Sequence, residues 1–115
     1  MPFWRGEPKH LLDAEDLAAA AKLRRESRLD QAERILLKAE PTQAVLDELR
    51  KIASIRAHSA SEAGDWSAVV RHLEGYNLLA RKRRKRCIEL VNGEPPAHTE
   101  KDKKLLQNAK SKLGS

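Results

Sequence analysis

Cysteine, aromatic residues and long apolar runs are all scarce in this sequence. Its one cysteine, Cys87, excludes an internal disulfide bond and cannot form a metal site by itself. No apolar run approaches the roughly 18 residues that indicate a membrane span. Residues 1–8 contain no apolar core of signal-peptide length. We therefore expect no membrane insertion and a reducing compartment, which we take to be the cytoplasm.

The motifs that identify many enzymes and cofactor-binding proteins are missing as well. The sequence contains no glycine-rich phosphate loop, nucleophile elbow, zinc signature or dinucleotide fingerprint. Its four histidines are scattered, and no two of them stand four residues apart, as paired metal ligands on one helix would. We expect no catalytic activity, no metal and no cofactor.

The apolar residues that are present favour helices. Hydrophobic residues make up 40% of the chain, much of it alanine, and no alternating strand pattern occurs. Apolar residues recur every three or four positions, and glycine and proline lie mostly between these stretches. The spacing predicts an all-α protein, with helices near residues 13–27, 30–40, 43–63, 66–90 and 99–110.

The predicted helices are joined by connections of only a few residues. Short connections favour antiparallel neighbours, so we expect two antiparallel hairpins with a long fourth helix and a short C-terminal capping helix. Predicted N-terminal caps stand at the start of four helices: Asp13, Thr42, Asp65 and Thr99. The predicted domain covers residues 13–110, between an irregular N-terminal arm (1–12) and a flexible tail (111–115).

Two segments of similar composition lie about one structural repeat apart. They are Arg28-Leu29-Asp30-Gln31-Ala32 and Gly64-Asp65-Trp66-Ser67-Ala68, with Ala32 and Ala68 separated by 36 positions. Both resemble the second helix of a tetratricopeptide repeat. One whole repeat of that family is about 34 residues long. Three positions, Arg56, Ser59 and His72, depart from the family's pattern. The resemblance covers about residues 13–80 and implies a concave groove that binds a peptide or a partner helix.

Positive charge is concentrated in the last third of the chain. Residues 1–80 carry 12 Lys/Arg and 13 Asp/Glu, whereas residues 81–115 carry 11 and 4. Six consecutive cations lie in the fourth predicted helix and three lysines in the last one: Arg81, Lys82, Arg83, Arg84, Lys85, Arg86, Lys101, Lys103 and Lys104. The run is a solvated helix surface, a phosphate-binding surface for nucleic acid, or a docking surface for an acidic protein partner.

A second candidate contact is the aromatic pair Phe3 and Trp4, which precedes the first predicted helix. The pair either folds back onto the helices or forms an exposed apolar anchor for a partner, because aromatic residues are frequent interface hot spots. The function that the sequence favours is a non-catalytic helical adaptor that binds another protein. The alternatives are a nucleic-acid-binding accessory protein that uses the basic run, and a structural component that self-associates through Cys87, Ile88 and Val91. The oligomeric state stays open.

Overall fold

The computed structural model describes residues 14–39, 42–91 and 95–114, with side chains described in 17–39, 42–83 and 95–114. Within these ranges the regular structure consists of α-helices without a strand, so the all-α prediction is confirmed. The helices are α1 (Ala14–Arg25), α2 (Leu29–Leu37), α3 (Gln43–Glu62), α4 (Trp66–Val91) and α5 (Glu100–Gly114).

Side-chain caps begin three of the helices at the residues that the sequence indicates. The Thr42 hydroxyl accepts a hydrogen bond from the Val45 backbone N–H (3.3 Å), and Asp65 Oδ1 accepts one from Ala68 (3.2 Å). Thr99 Oγ1 accepts one from Asp102 (3.2 Å). Each cap satisfies a backbone donor that the first helical turn leaves without a partner. The cap predicted at residue 13 lies outside the described residues.

Two helices end in a left-handed residue that lets the chain turn sharply. At the end of α3, Gly64 has φ 76°, and Asp65 N–H bonds back to the Ala60 carbonyl at 2.8 Å. At the end of α1, Ser27 takes the same role with φ 65°, and Arg28 N–H bonds back to the Leu23 carbonyl at 2.8 Å. These are the hydrogen bonds of a Schellman motif, which glycine adopts more easily than serine.

The helix boundaries differ from the predicted ones in two places. Helix α2 ends at Leu37 rather than near residue 40, because Ala39 N–H bonds to the Leu36 carbonyl (3.2 Å) in a tighter turn. Helix α5 continues to Gly114, so the tail predicted from residue 111 begins within a helix. Helix α4, in contrast, runs unbroken through the basic run to Val91, as predicted.

Buried side chains form two apolar clusters that follow one another along α3, the larger at residues 45–53 and the smaller at residue 57. The larger joins α1 and α2 to α3 and the middle of α4, and its fully buried residues include Ala20, Ala32, Leu36, Leu46 and Ile52. The smaller joins α3 and α4 to α5 through Ala57, Val69, Leu73 and Ala109, with Trp66 packed against it. Helix α3 therefore lies at the centre, in contact with α1, α2 and α4. The assignment of these helices to two antiparallel hairpins stays a prediction.

Candidate partner-binding surfaces

The structure describes only part of the predicted basic run. Arg81 and Lys82 are exposed on α4, and Arg83 is half-buried. The side chains of Arg84, Lys85 and Arg86, and that of Cys87, lie outside the described part of the chain, as do Phe3 and Trp4. Within that part, neither Arg81 nor Lys82 forms an ion pair with a carboxylate. Their charges are therefore presented to solvent.

The three lysines predicted to act with the run have different surroundings. All of them are exposed on α5. Lys103 pairs with Glu100 (Nζ–Oε2 3.4 Å), whereas Lys101 lines a cavity together with Arg24 of α1 and with Arg50 and Lys51 of α3. Helix packing thus places Lys101 among three basic side chains that were not predicted as site residues.

Three adjoining cavities surround Arg56 and form what we call the Arg56 trough. Their volumes are about 300, 530 and 420 Å³, and Arg56 lines all three. The first lies among α2, α3 and α4, and it shares Arg71 and His72 with the second. The trough also has an apolar lining, drawn from α2, α3 and α4: Leu29, Leu37, Leu49, Ile52, Ile55 and Leu79.

The guanidinium group of Arg56 is held between two helices. Its Nη2 lies 2.6 Å from Asp30 Oδ1 and its Nη1 lies 3.2 Å from Glu33 Oε2, both on α2. These two contacts tie α2 to α3 beside the trough. They also neutralise Arg56, so the trough cations that form no ion pair within the described residues are the exposed Arg28 and Arg71.

Histidine 72 supplies a polar but uncharged group to the same surface. Burial lowers the pKa of His72 below its ordinary value, and the charges of Arg71 and Arg56 lower it further. Its imidazole is therefore neutral at pH 7, with one nitrogen that donates and one that accepts a hydrogen bond. In the sequence this residue stood out only as a departure from the repeat pattern.

A fourth cavity, of about 320 Å³, lies among α1, α3 and α5 and shares Ile55 with the trough. We call it the basic cavity. Its basic lining is Arg24, Arg50, Lys51, His58 and Lys101. Carboxylates of α3 hold two of these groups: Glu48 Oε1 lies 2.7 Å from Arg24 Nε, and Asp47 Oδ1 lies 3.0 Å from Arg50 Nε. Lys51 lies 3.5 Å from Asp47 and 3.6 Å from Glu48.

One wall of the basic cavity contains a buried carboxylate that joins α5 to α3. Asp102 is 2% exposed, and its Oδ1 lies 2.8 Å from His58 Nε2. Burial by itself would raise the pKa of Asp102, but hydrogen bonds from Ser54 and His58 and the charges of His58 and His98 lower it below its ordinary value. Ser54 and His58 both bond to the carboxylate, whereas a hydrolytic triad needs its serine bonded to its histidine. These bonds connect α5 to α3.

Four polar residues of α3 that line the basic cavity were not predicted as site residues: Arg50, Lys51, Ser54 and His58. Ser54 follows Arg50 and Lys51 by four and three positions and His58 follows Ser54 by four, so these residues form a polar stripe. The stripe lies beside the apolar one that was used to predict the helix, and a second helical face of this kind could have been recognised. The position of this stripe next to Arg24 and Lys101 depends on helix packing, so it could not have been recognised from the sequence.

The described residues provide neither a metal site nor a membrane-spanning helix. No group of three or more His, Cys, Asp or Glu residues there is arranged to hold a metal ion. None of the helices in these ranges combines the length and the apolarity that a membrane crossing requires.

Comparison with known proteins adds no further constraint. The similarity to tetratricopeptide repeats stays a prediction. The chain matches no protein-family model, and no curated protein or solved structure is significantly similar to it.

Proposed function

We propose that this protein is a non-catalytic interaction module that binds a segment of a protein partner in the Arg56 trough. The observation that carries the proposal is the adjoining arrangement of three cavities around one residue that is fixed between α2 and α3. Cavities of about 300–1,000 Å³ are the usual size of ligand sites. The cavities also share lining residues, Arg71 and His72 between the first and second and Ser27 and Leu29 between the second and third, so one bound segment could contact all of them.

The lining of the trough determines the kind of segment that it accommodates. Aliphatic side chains of three helices, such as Leu37 and Leu79, provide apolar surface for the partner's hydrophobic residues. Arg71 provides a cation that forms no ion pair within the described residues. The best match is an amphipathic segment that carries apolar residues and at least one carboxylate. We expect this interaction to take place in the cytoplasm.

A peptide selection tests this proposal although the partner is unidentified. A random peptide library is selected on the wild-type protein, and the enriched peptides are measured by fluorescence polarisation. Replacing Arg71 with glutamate should weaken the binding of these peptides about tenfold or more, because it reverses the charge of a residue that forms no ion pair within the described residues. The matched control is Lys104→Glu, an equal charge change on α5 outside the trough. Failure to enrich any peptide, or equal binding to the Arg71→Glu variant, would contradict the proposal.

Nucleic-acid binding by α4 is the second candidate, because Arg81 and Lys82 are exposed and without ion pairs in the described ranges. Phosphate contacts make such binding strongly dependent on salt. The test measures labelled duplexes and single strands at several salt concentrations, with wild type and an Arg81→Glu, Lys82→Glu variant. Binding that falls steeply with salt and is lost in the folded variant supports it, and no binding at low salt excludes it. Self-association through the end of α4 is tested separately, by the mass in solution.

A further inference from the structure

We propose that the basic cavity among α1, α3 and α5 is a second binding site, specific for a phosphate monoester group. Four lysine and arginine side chains line it from three helices: Arg24 from α1, Arg50 and Lys51 from α3, and Lys101 from α5. Because these helices are distant in sequence, the site exists only when α5 is docked. It does not overlap the residues that pair with Arg56 in the trough.

Arg24 and Arg50 are preorganised to donate hydrogen bonds to an anion. Their side chains are only 17% and 13% exposed, and each is held through Nε by a carboxylate of α3. The contact to the carboxylate is made through the Nε edge of each guanidinium group. A guanidinium whose position is already fixed loses less conformational entropy when a ligand binds. Arg24 and Arg50 therefore present ordered donors beside the cavity.

Charge at the cavity favours an anion. Asp102 is the one carboxylate in its described lining, and hydrogen bonds from Ser54 and His58 occupy it. Two more carboxylates, Asp47 and Glu48, pair with Arg24, Arg50 and Lys51. Lys101 forms no ion pair within the part of the chain that is described, so its charge remains uncompensated. An anionic group bound beside Lys101 balances this remaining positive charge.

The distribution of donors favours a phosphate over a carboxylate. A carboxylate has two oxygens in one plane and matches a single guanidinium, whereas a phosphate monoester has three terminal oxygens directed to different sides. The donors here come from three helices around one cavity, so a tetrahedral group contacts more of them. A volume of about 320 Å³ accommodates a small phosphorylated molecule or a phosphorylated side chain.

Titration of the isotope-labelled protein with inorganic phosphate, followed by NMR at constant ionic strength, tests the site. We expect saturable shifts of backbone amides at Lys51, Ser54 and Lys101, with weaker and less localised shifts for acetate. Lys101→Gln should weaken phosphate binding at least threefold. The control Lys38→Gln, the same charge change at an exposed residue outside the cavity lining, should leave phosphate binding unchanged. Lys101 is exposed, so the variant is expected to fold, and circular dichroism checks this.

Several outcomes would overturn the site. These are shifts spread over all basic surfaces, equal affinity for acetate and phosphate, or equal phosphate affinity in the Lys101→Gln and Lys38→Gln variants. Titrations with free phosphoserine and with a phosphoserine peptide then separate the two sources of the group. Tighter binding of the peptide identifies a phosphorylated protein, and equal binding identifies a small phosphorylated ligand. Arg71→Glu in the trough should leave phosphate affinity unchanged, so this test and that of the proposed function fail independently.

Discussion

Replacing Asp102 with asparagine should destabilise the protein by about 2 kcal/mol at pH 7. The carboxylate is almost completely buried and accepts hydrogen bonds from His58 and Ser54. Hydrogen bonds to a charged group contribute about 1.5–3 kcal/mol each. His58 is 37% exposed, so water replaces part of its bond when the carboxylate is lost. Asparagine keeps the shape and one acceptor, which limits the loss to the middle of this range.

The same replacement should change how stability depends on pH. The pKa of Asp102 is lowered in the folded protein, so its carboxylate stabilises the fold at a pH above its unfolded pKa of about 3.9. This contribution is lost as the pH falls through the lower folded-state pKa. The stability difference between wild type and variant should therefore be constant near neutrality and shrink below about pH 4.

Urea denaturation followed by circular dichroism measures both effects. The variants are Asp102→Asn, His58→Gln and the double variant, so that a double-mutant cycle isolates the coupling between the two side chains. Asp47→Asn is the control, because its carboxylate is 37% exposed and its ion pairs should contribute less than about 1 kcal/mol. A loss of less than about 0.5 kcal/mol for Asp102→Asn at pH 7 would refute the reasoning, since that is the size of a neutral surface change.

Three further predictions follow from single residues. Ser27→Gly should stabilise the protein by about 0.5–1 kcal/mol in urea denaturation, because φ at Ser27 is 65°; a lower midpoint would contradict this. Leu73→Ala should cost about 2–5 kcal/mol in the same assay, while Leu78→Ala, at a residue that is 53% exposed, should stay within about 0.5 kcal/mol. Arg71→Ala should raise the pKa of His72 in an NMR titration, since burial lowers that pKa first and Arg71 lowers it further; an unchanged value would contradict the assignment.

Local signals explain why the helices could be predicted from the sequence. Thr42, Asp65 and Thr99 cap their own helices, and Gly64 ends α3. Each acts on backbone groups within a few residues, so it can be recognised before the fold is known. The end of α1 was placed near Ser27 in the same way, although the left-handed conformation of a serine could not be foreseen.

The candidate sites could be predicted much less well, because they combine residues from several helices. The basic run was recognised since its cations are adjacent in the chain. Arg24 and Lys101, in contrast, lie in the first and last helices and come to one cavity only because α1 packs against α3 and α5 packs against α4. Periodicity assigns a residue to a face of its own helix, but it does not specify which other helix lies against that face.

The docking of α5 buries little of its own apolar surface, and this has a consequence for hydrogen exchange. Ala109 is the only described residue of this helix that is both apolar and buried, and Leu105 and Leu106 are half-buried. Since apolar burial supplies most of the free energy that opposes local opening, α5 should detach in a sub-global step that leaves α3 and α4 folded. The backbone amides of α5 would then exchange hydrogen for deuterium sooner than the backbone amides of α3 and α4. Each opening would uncover Val69 and Leu73, so the partly open protein should be the species most prone to aggregate.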